Sequence, residues 1–139
     1  MVKILTAAAS FLLFGIAVAG PTPAPPNAYL YIGWPNNGEV ISGGKPFKVW
    51  FGLRDMGVAP KDVTFPNTGH HHLLIDTDLP PPDQEIPSDR NHLHFGAGQT
   101  ETMVELPPGK HTLQLLMGDD KHIPHNPPIY SKKITITVK

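Results

Sequence analysis

From Ala28 onward, apolar and polar residues alternate with a period of two. Ala28, Leu30, Ile32 and Trp34 fall on one side of a segment whose other side carries Tyr29 and Tyr31, and Phe47, Val49, Phe51 and Leu53 alternate in the same way with Lys48, Trp50 and Gly52. Successive side chains of a strand point to opposite faces, so each segment predicts a half-buried strand. Asn-Gly and Gly-Gly pairs between them predict turns around a short strand at Val40 and Ile41. Further strands are expected at 70–75, 92–95 and 102–106. After a tight turn at Pro107-Pro108-Gly109-Lys110 come a strand with Leu113, Leu115 and Met117 on one face and a last strand with Ile134, Ile136 and Val138 on one face. The proline-bearing stretches 54–68 and 77–90 predict long loops, because proline removes a backbone donor and biases its neighbour away from helix. Seven or eight short strands with Gly/Pro turns and no helical stretch predict an all-β protein, an antiparallel immunoglobulin-like β-sandwich. Its expected core is Leu30, Ile32, Phe47, Val49, Phe51, Leu73, Ile75, Val104, Leu113, Leu115, Ile134 and Ile136.

The first residues break this pattern. Lys3 precedes a short apolar run ending in small residues, with Ala17-Val18-Ala19 just before Gly20, which is the pattern of a secretory signal peptide over residues 1–19. The expectation is cleavage near Gly20 and a periplasmic or secreted protein; the alternative is a retained membrane anchor. Residues 20–27, Gly-Pro-Thr-Pro-Ala-Pro-Pro-Asn, predict an extended proline-rich linker, and 28–139 the folded domain. The chain has no cysteine, so neither disulfides nor thiolate chemistry is available and stability must come from packing or a bound metal. A formal net charge of −1 without a basic run points away from nucleic acid and anionic lipid.

The chemistry available is that of histidine, eight copies, all beyond position 69. His70 and His72 share one face of their strand, roughly 7 Å apart by strand rise, while His71 joins Leu73 and Ile75 on the other. His92 and His94 repeat the arrangement. Two His-x-His units on paired strands bring four imidazoles towards one ion, and this spacing suits zinc, copper or iron. A third group, His122 and His125 with Asp119, Asp120 and Met117 nearby, adds imidazole, carboxylate and thioether donors that suit copper better than calcium or magnesium. Each group also has a plainer reading, as polar residues hydrogen-bonded to backbone at a strand end. His71 and His111 fall in line with apolar positions and are expected in the core or at its rim. Trp50, Tyr29 and Tyr31 are expected to serve in sheet packing, with a ligand-binding aromatic patch as the alternative.

A G-x-S-x-G elbow, a phosphate loop and an H-E-x-x-H helix are all missing. His-x-His followed by Glu101 is too widely spaced for the metal motif of cupin barrels, which leaves a metal-dependent oxygenase as a minor possibility. The protein is not expected to be an enzyme.

The stretches NTGHHHLLIDTDLP, HFGAGQTE and LPPGKHTLQLLMGDDKHIPHNPPIYSKKITITV resemble the small exported bacterial domains grouped as domain of unknown function 4399. The resemblance runs from about Ala28 to the end and implies an exported single domain; it brings no catalytic residues. A second resemblance, to copper-resistance immunoglobulin-like periplasmic proteins, lies in Pro108-Gly109 followed by a strand and by Asp120-Lys121-His122. It implies Asp120 and His122 as copper ligands. Those proteins also use a histidine at the mature N-terminus, and here none precedes His70. The expected ligand set is therefore His70, His72, His92, His94, Asp120, His122 and His125, for copper or zinc in a storage, delivery or resistance role. The alternative is a non-enzymatic accessory or interaction domain of an envelope protein complex.

Overall fold

The computed structural model describes residues 20–139, and the expected signal segment 1–19 lies outside them. Nine strands and no helix occur among the described residues: β1 (Tyr29–Trp34), β2 (Val40–Ile41), β3 (Phe47–Arg54), β4 (Gly57–Val58), β5 (Thr68–Ile75), β6 (His92–His94), β7 (Glu101–Val104), β8 (Gly109–Gly118) and β9 (Ile134–Val138). They form two sheets, one of order β1-β3-β7 and one of order β2-β9-β8-β5-β4 with β6 also paired to β5. The long pairs are antiparallel; β2 with β9 and β4 with β5 are short parallel pairs. Two sheets packed face to face, with the chain crossing between them, make an immunoglobulin-like β-sandwich. Strand β4 falls within a stretch whose prolines predicted only loop, and it lengthens the larger sheet at its edge.

The core lies between the sheets. Leu30, Phe47, Val49, Phe51 and Val104 from the smaller sheet meet Leu73, Ile75, Leu113, Leu115, Met117, Ile134 and Ile136 from the larger. The alternation assigned these residues correctly, except that Ile32 is only partly buried at the core's margin. Residues 20–27 run through bends and a turn and are docked on the sandwich. Thr22 and Asn126 exchange backbone contact (Asn126 N–H to Thr22 O, 2.8 Å), Ala24 N–H donates to Asn126 O (2.8 Å), and Gly20 is buried.

Strand β5 departs from the simple pattern because both of its faces are buried. Its inner face, His71, Leu73 and Ile75, pairs across to Met117, Leu115 and Leu113 of β8; its outer face, His70, His72 and Leu74, pairs to Gly118, Leu116 and Gln114. The chains after β5 and β8 fold back over that outer face. They form a second small cluster of Leu74, Ile86 and Leu116, joined by Ile86 N–H donating to His122 O at 2.7 Å.

His111, at the start of β8, is held between two acceptors. Its Nδ1–H donates to Asp76 Oδ2 (2.7 Å) and its Nε2–H to Pro107 O (2.8 Å), while Asp76 Oδ1 accepts Thr112 N–H at 2.8 Å. Desolvation disfavours the charged ring, but the Asp76 carboxylate and the Pro107 carbonyl outweigh it and raise the His111 pKa. A raised folded pKa stabilises fully below the unfolded value near 6.5 and fades as pH rises through the folded value. Asp76→Asn is therefore expected to cost about 1 kcal/mol at pH 6 and distinctly less at pH 8.5. Urea unfolding of both proteins at the two pH values measures this, and an equal penalty at both would refute the charged pair.

Candidate metal centre

The outer face of β5 carries the site. Strand alternation turns His70 and His72 to the same side, and the β5–β6 register sets His94 directly opposite His72. The fourth imidazole comes from the loop after β8. His70, His72, His94 and His122 each offer a nitrogen, and the four nitrogens lie within 4.8 Å of one another. Ring centroids are 4.6 Å apart for His94 and His122, 4.8 Å for His70 and His72, and 5.0 Å for His70 and His122; His70 Nε2 and His122 Nδ1 are 3.1 Å apart. An ion about 2 Å from each nitrogen needs N–N separations of about 3.3 Å in a tetrahedron, or about 3 and 4 Å in a square, so ring adjustments on the order of 1 Å close the cluster on a metal.

Several local features hold this geometry. His122 has a left-handed backbone (φ 64°), which costs a non-glycine residue on the order of 1 kcal/mol and persists only where surrounding bonds enforce it. Asp119, 2% exposed, supplies that enforcement: Oδ1 accepts the N–H groups of Lys121 and Ile123 (both 2.9 Å), Oδ2 accepts Thr22 Oγ1–H (2.6 Å), and its carbonyl accepts His122 N–H (3.0 Å). Glycines make room for the rings. A Cβ at position 118 would lie 2.8 Å from His72 Cε1, and one at position 96 would overlap the His94 imidazole.

His70, His72 and His94 are poised as neutral donors. Burial, reinforced by His122 and His94, lowers the His70 pKa to about 4; burial and the neighbouring histidines lower His72 to about 2; burial, then His122 and Lys61, lowers His94. His70 Nδ1, His72 Nδ1 and His94 Nε2 are buried without a hydrogen-bond partner. An unsatisfied buried nitrogen costs roughly 1–3 kcal/mol, so a cluster with three such rings is unfavourable unless something else is gained by it. The donor set suits a borderline transition metal and not calcium or magnesium, which need oxygen ligands.

The remaining candidates lie elsewhere. His92 shares the face of His94 but is two pairs further along, opposite Leu74, and its Nδ1 is 2.9 Å from Asp89 Oδ1. Asp120 turns away from the cluster and accepts Thr64 Oγ1–H at 2.8 Å, and its neighbour Asp119 is the one that braces the loop. His125 is buried and pins its loop to β5 through Nε2–H to Thr68 O (3.1 Å). His71 lies in the core, its ring 5.1 Å from that of Phe51. The loop brace of Asp119 and the clearance at Gly96 and Gly118 were missed from sequence. The only available signal was the Asp-x-x-His spacing of 119–122.

A small immunoglobulin-like sandwich with a partly buried four-histidine cluster on the outer face of its larger sheet is the class of protein that fold and site define. The chain belongs to the family described as Domain of unknown function (DUF4399), whose model matches residues 49–139 and so takes in all eight histidines. No curated protein matches it. Among solved structures, the fibronectin(III)-like modules of Clostridium thermocellum CbhA align at 13% sequence identity, over 80% of this chain and 45% of theirs, with a TM-score of 0.42. The chain thus spans less than half the length of that structure's chain.

Proposed function

We propose that the protein is an exported metal-binding domain that holds one copper or zinc ion through His70, His72, His94 and His122. Its role on this reading is storage, delivery or resistance in the periplasm or outside the cell, without turnover of a substrate. The carrying observation is the convergence of four imidazole nitrogens within 4.8 Å, with nitrogens buried and unpartnered. Export is supported by the signal-like run before Gly20. Titration of the metal-free protein with copper(II) and with zinc at pH 7.5, followed by calorimetry and, for copper, electron paramagnetic resonance, tests the reading. One ion per chain is expected, and absence of uptake of either metal would end it.

Acid opposes the site in two ways. Protons compete with the ion for the nitrogens, so affinity falls as pH drops through about 6.5. The metal-free fold weakens too. His70 and His71, with folded pKa values of about 4, and His72, at about 2, are lowered below the unfolded value, so the unfolded chain binds more protons from about pH 6.5 downward. Their contribution is complete above pH 6.5 and is lost progressively towards pH 4 for His70 and His71 and further, towards pH 2, for His72. The urea midpoint of the metal-free protein should drop between pH 7 and pH 5, and a midpoint that rises would contradict the buried neutral rings.

One observation favours a second reading, as an interaction domain of an envelope complex. The outer face of the β1-β3-β7 sheet exposes Tyr29, Trp50 and Met103 by 49%, 52% and 57%, three large apolar side chains on one face. Arg54 lies over Tyr31 and Lys48 over Trp50.

A further inference from the structure

The four imidazoles are not equally enclosed. His70 and His72 are fully buried, whereas His94 and His122 keep part of their surface, so their side is the one nearest solvent. Lys61 stands on this side. Its N–H donates to Gly96 O (2.8 Å) just past β6, the next residue's N–H donates to Asp120 O (3.1 Å), and Thr64 Oγ1–H reaches Asp120 Oδ2, which ties the lysine's loop to both the His94 and the His122 segments. The aliphatic stem passes beside His94, with Cδ 3.1 Å from where a Cβ at position 96 would lie. The ammonium is 3.7 Å from Asp62 Oδ2, and both groups are well exposed, so water weakens that contact. Asp62 and Asp120 are acids of the same rim.

We propose that the ion held by these histidines takes one small inorganic monoanion as an additional ligand, entering between His94 and His122 with Lys61 as a positioning residue. The inference rests on the metal reading and adds a ligand class to it. Charge counting carries it. A divalent ion among four neutral imidazoles brings two positive charges into a largely dry site, and the buried carboxylate of Asp119, already occupied by three hydrogen bonds, offsets one of them. One negative charge is still required, and copper(II), which favours tetragonal surroundings, has room beyond four protein nitrogens for a further ligand on the more open side. A cation fixed at the mouth of such a site raises the local concentration of anions, and this outweighs the two rim acids because the metal's own charge has the same sign as the lysine's.

Azide is the probe. The copper(II)-loaded protein is titrated with sodium azide at constant ionic strength and followed by visible absorption and electron paramagnetic resonance. A new charge-transfer band and a changed resonance spectrum, saturating at one azide per copper, are expected. Lys61→Met, which keeps the stem against His94, should weaken azide binding by about three- to tenfold without altering copper stoichiometry. Lys48→Met, on the other sheet, should leave azide binding unchanged. A copper-loaded protein whose spectra ignore azide has a closed shell and overturns the inference alone. Equal azide affinity in the parent and Lys61→Met removes the lysine's role. A protein that takes up no copper removes the metal reading and this inference together.

Discussion

Replacing His70 and His72 together by alanine is expected to abolish copper and zinc binding at neutral pH and to leave the sandwich folded. Both rings come from one strand and supply half of the donor nitrogens, and they are the two that are fully enclosed. Changes to residues merely supporting a ligand commonly cost 10–100-fold in metal affinity, so the loss of two ligands should exceed about a thousandfold. The fold survives because the substitution removes rings whose Nδ1 atoms have no hydrogen-bond partner, and the cavity forms outside the main core. In the parent, metal at about a thousand times its Kd adds about 4 kcal/mol to stability, which the variant should not gain. His92→Ala serves as the contrast and should bind like the parent, since His92 is engaged with Asp89. Calorimetric titration beside a circular dichroism spectrum and a thermal melt measures all of this. Parent-like binding by the double variant would show that the four-histidine cluster is not the site.

Leu115→Ala should produce the largest loss of stability. The side chain is 0% exposed, in the middle of β8 and opposite Leu73, and strand β8 is flanked on both sides by paired strands. Its backbone is bracketed as well, with Leu115 N–H donating to Ser131 Oγ (2.9 Å) and Ser131 N–H to Leu115 O (2.9 Å), so the site cannot readily collapse to fill the space. A cost of about 3–5 kcal/mol follows, compared with no more than about 0.5 kcal/mol for the exposed Val40→Ala. Urea unfolding of the metal-free proteins at pH 7.5 gives both values. A loss below about 1 kcal/mol at Leu115 would place it outside the core.

The strands and the core between them could be read from the sequence because period-two alternation reports which face is buried against the opposite sheet, and apart from Ile32 at the margin and the short β4 this held from Leu30 to Ile136. What alternation does not report is cover supplied by loops. The outer face of β5 is buried by segments around Ile86 and His122, whose sequences carry proline and turn residues but no periodic signal. The His70/His72 and His94 faces were legible for the same reason as the core. His122 was among the expected ligands, but that it and not His92 would complete the group was not legible, because alternation puts His92 and His94 on one face and says nothing of how far a loop reaches. Distance along the strand and Asp89 take His92 away, and the Asp119 brace brings His122 in. Asp120 was proposed through a resemblance in local order, and one residue's difference in direction separates it from Asp119.

The alternation of roles along His70, His71 and His72 has a consequence for how the chain finds its fold. Sliding β5 by one residue against β8 would turn His70, His72 and Leu74 into the interior and present His71 and Leu73 to the outer loops. In that misaligned pairing only one histidine of the run faces His94 and His122. An ion that binds early would therefore act as a proofreader of strand pairing, rewarding the one alignment that also seals Leu73 and Ile75 against β8. Refolding with metal present should yield fewer misaligned and aggregated chains than refolding without it, even under conditions where the finished fold no longer needs the ion to persist.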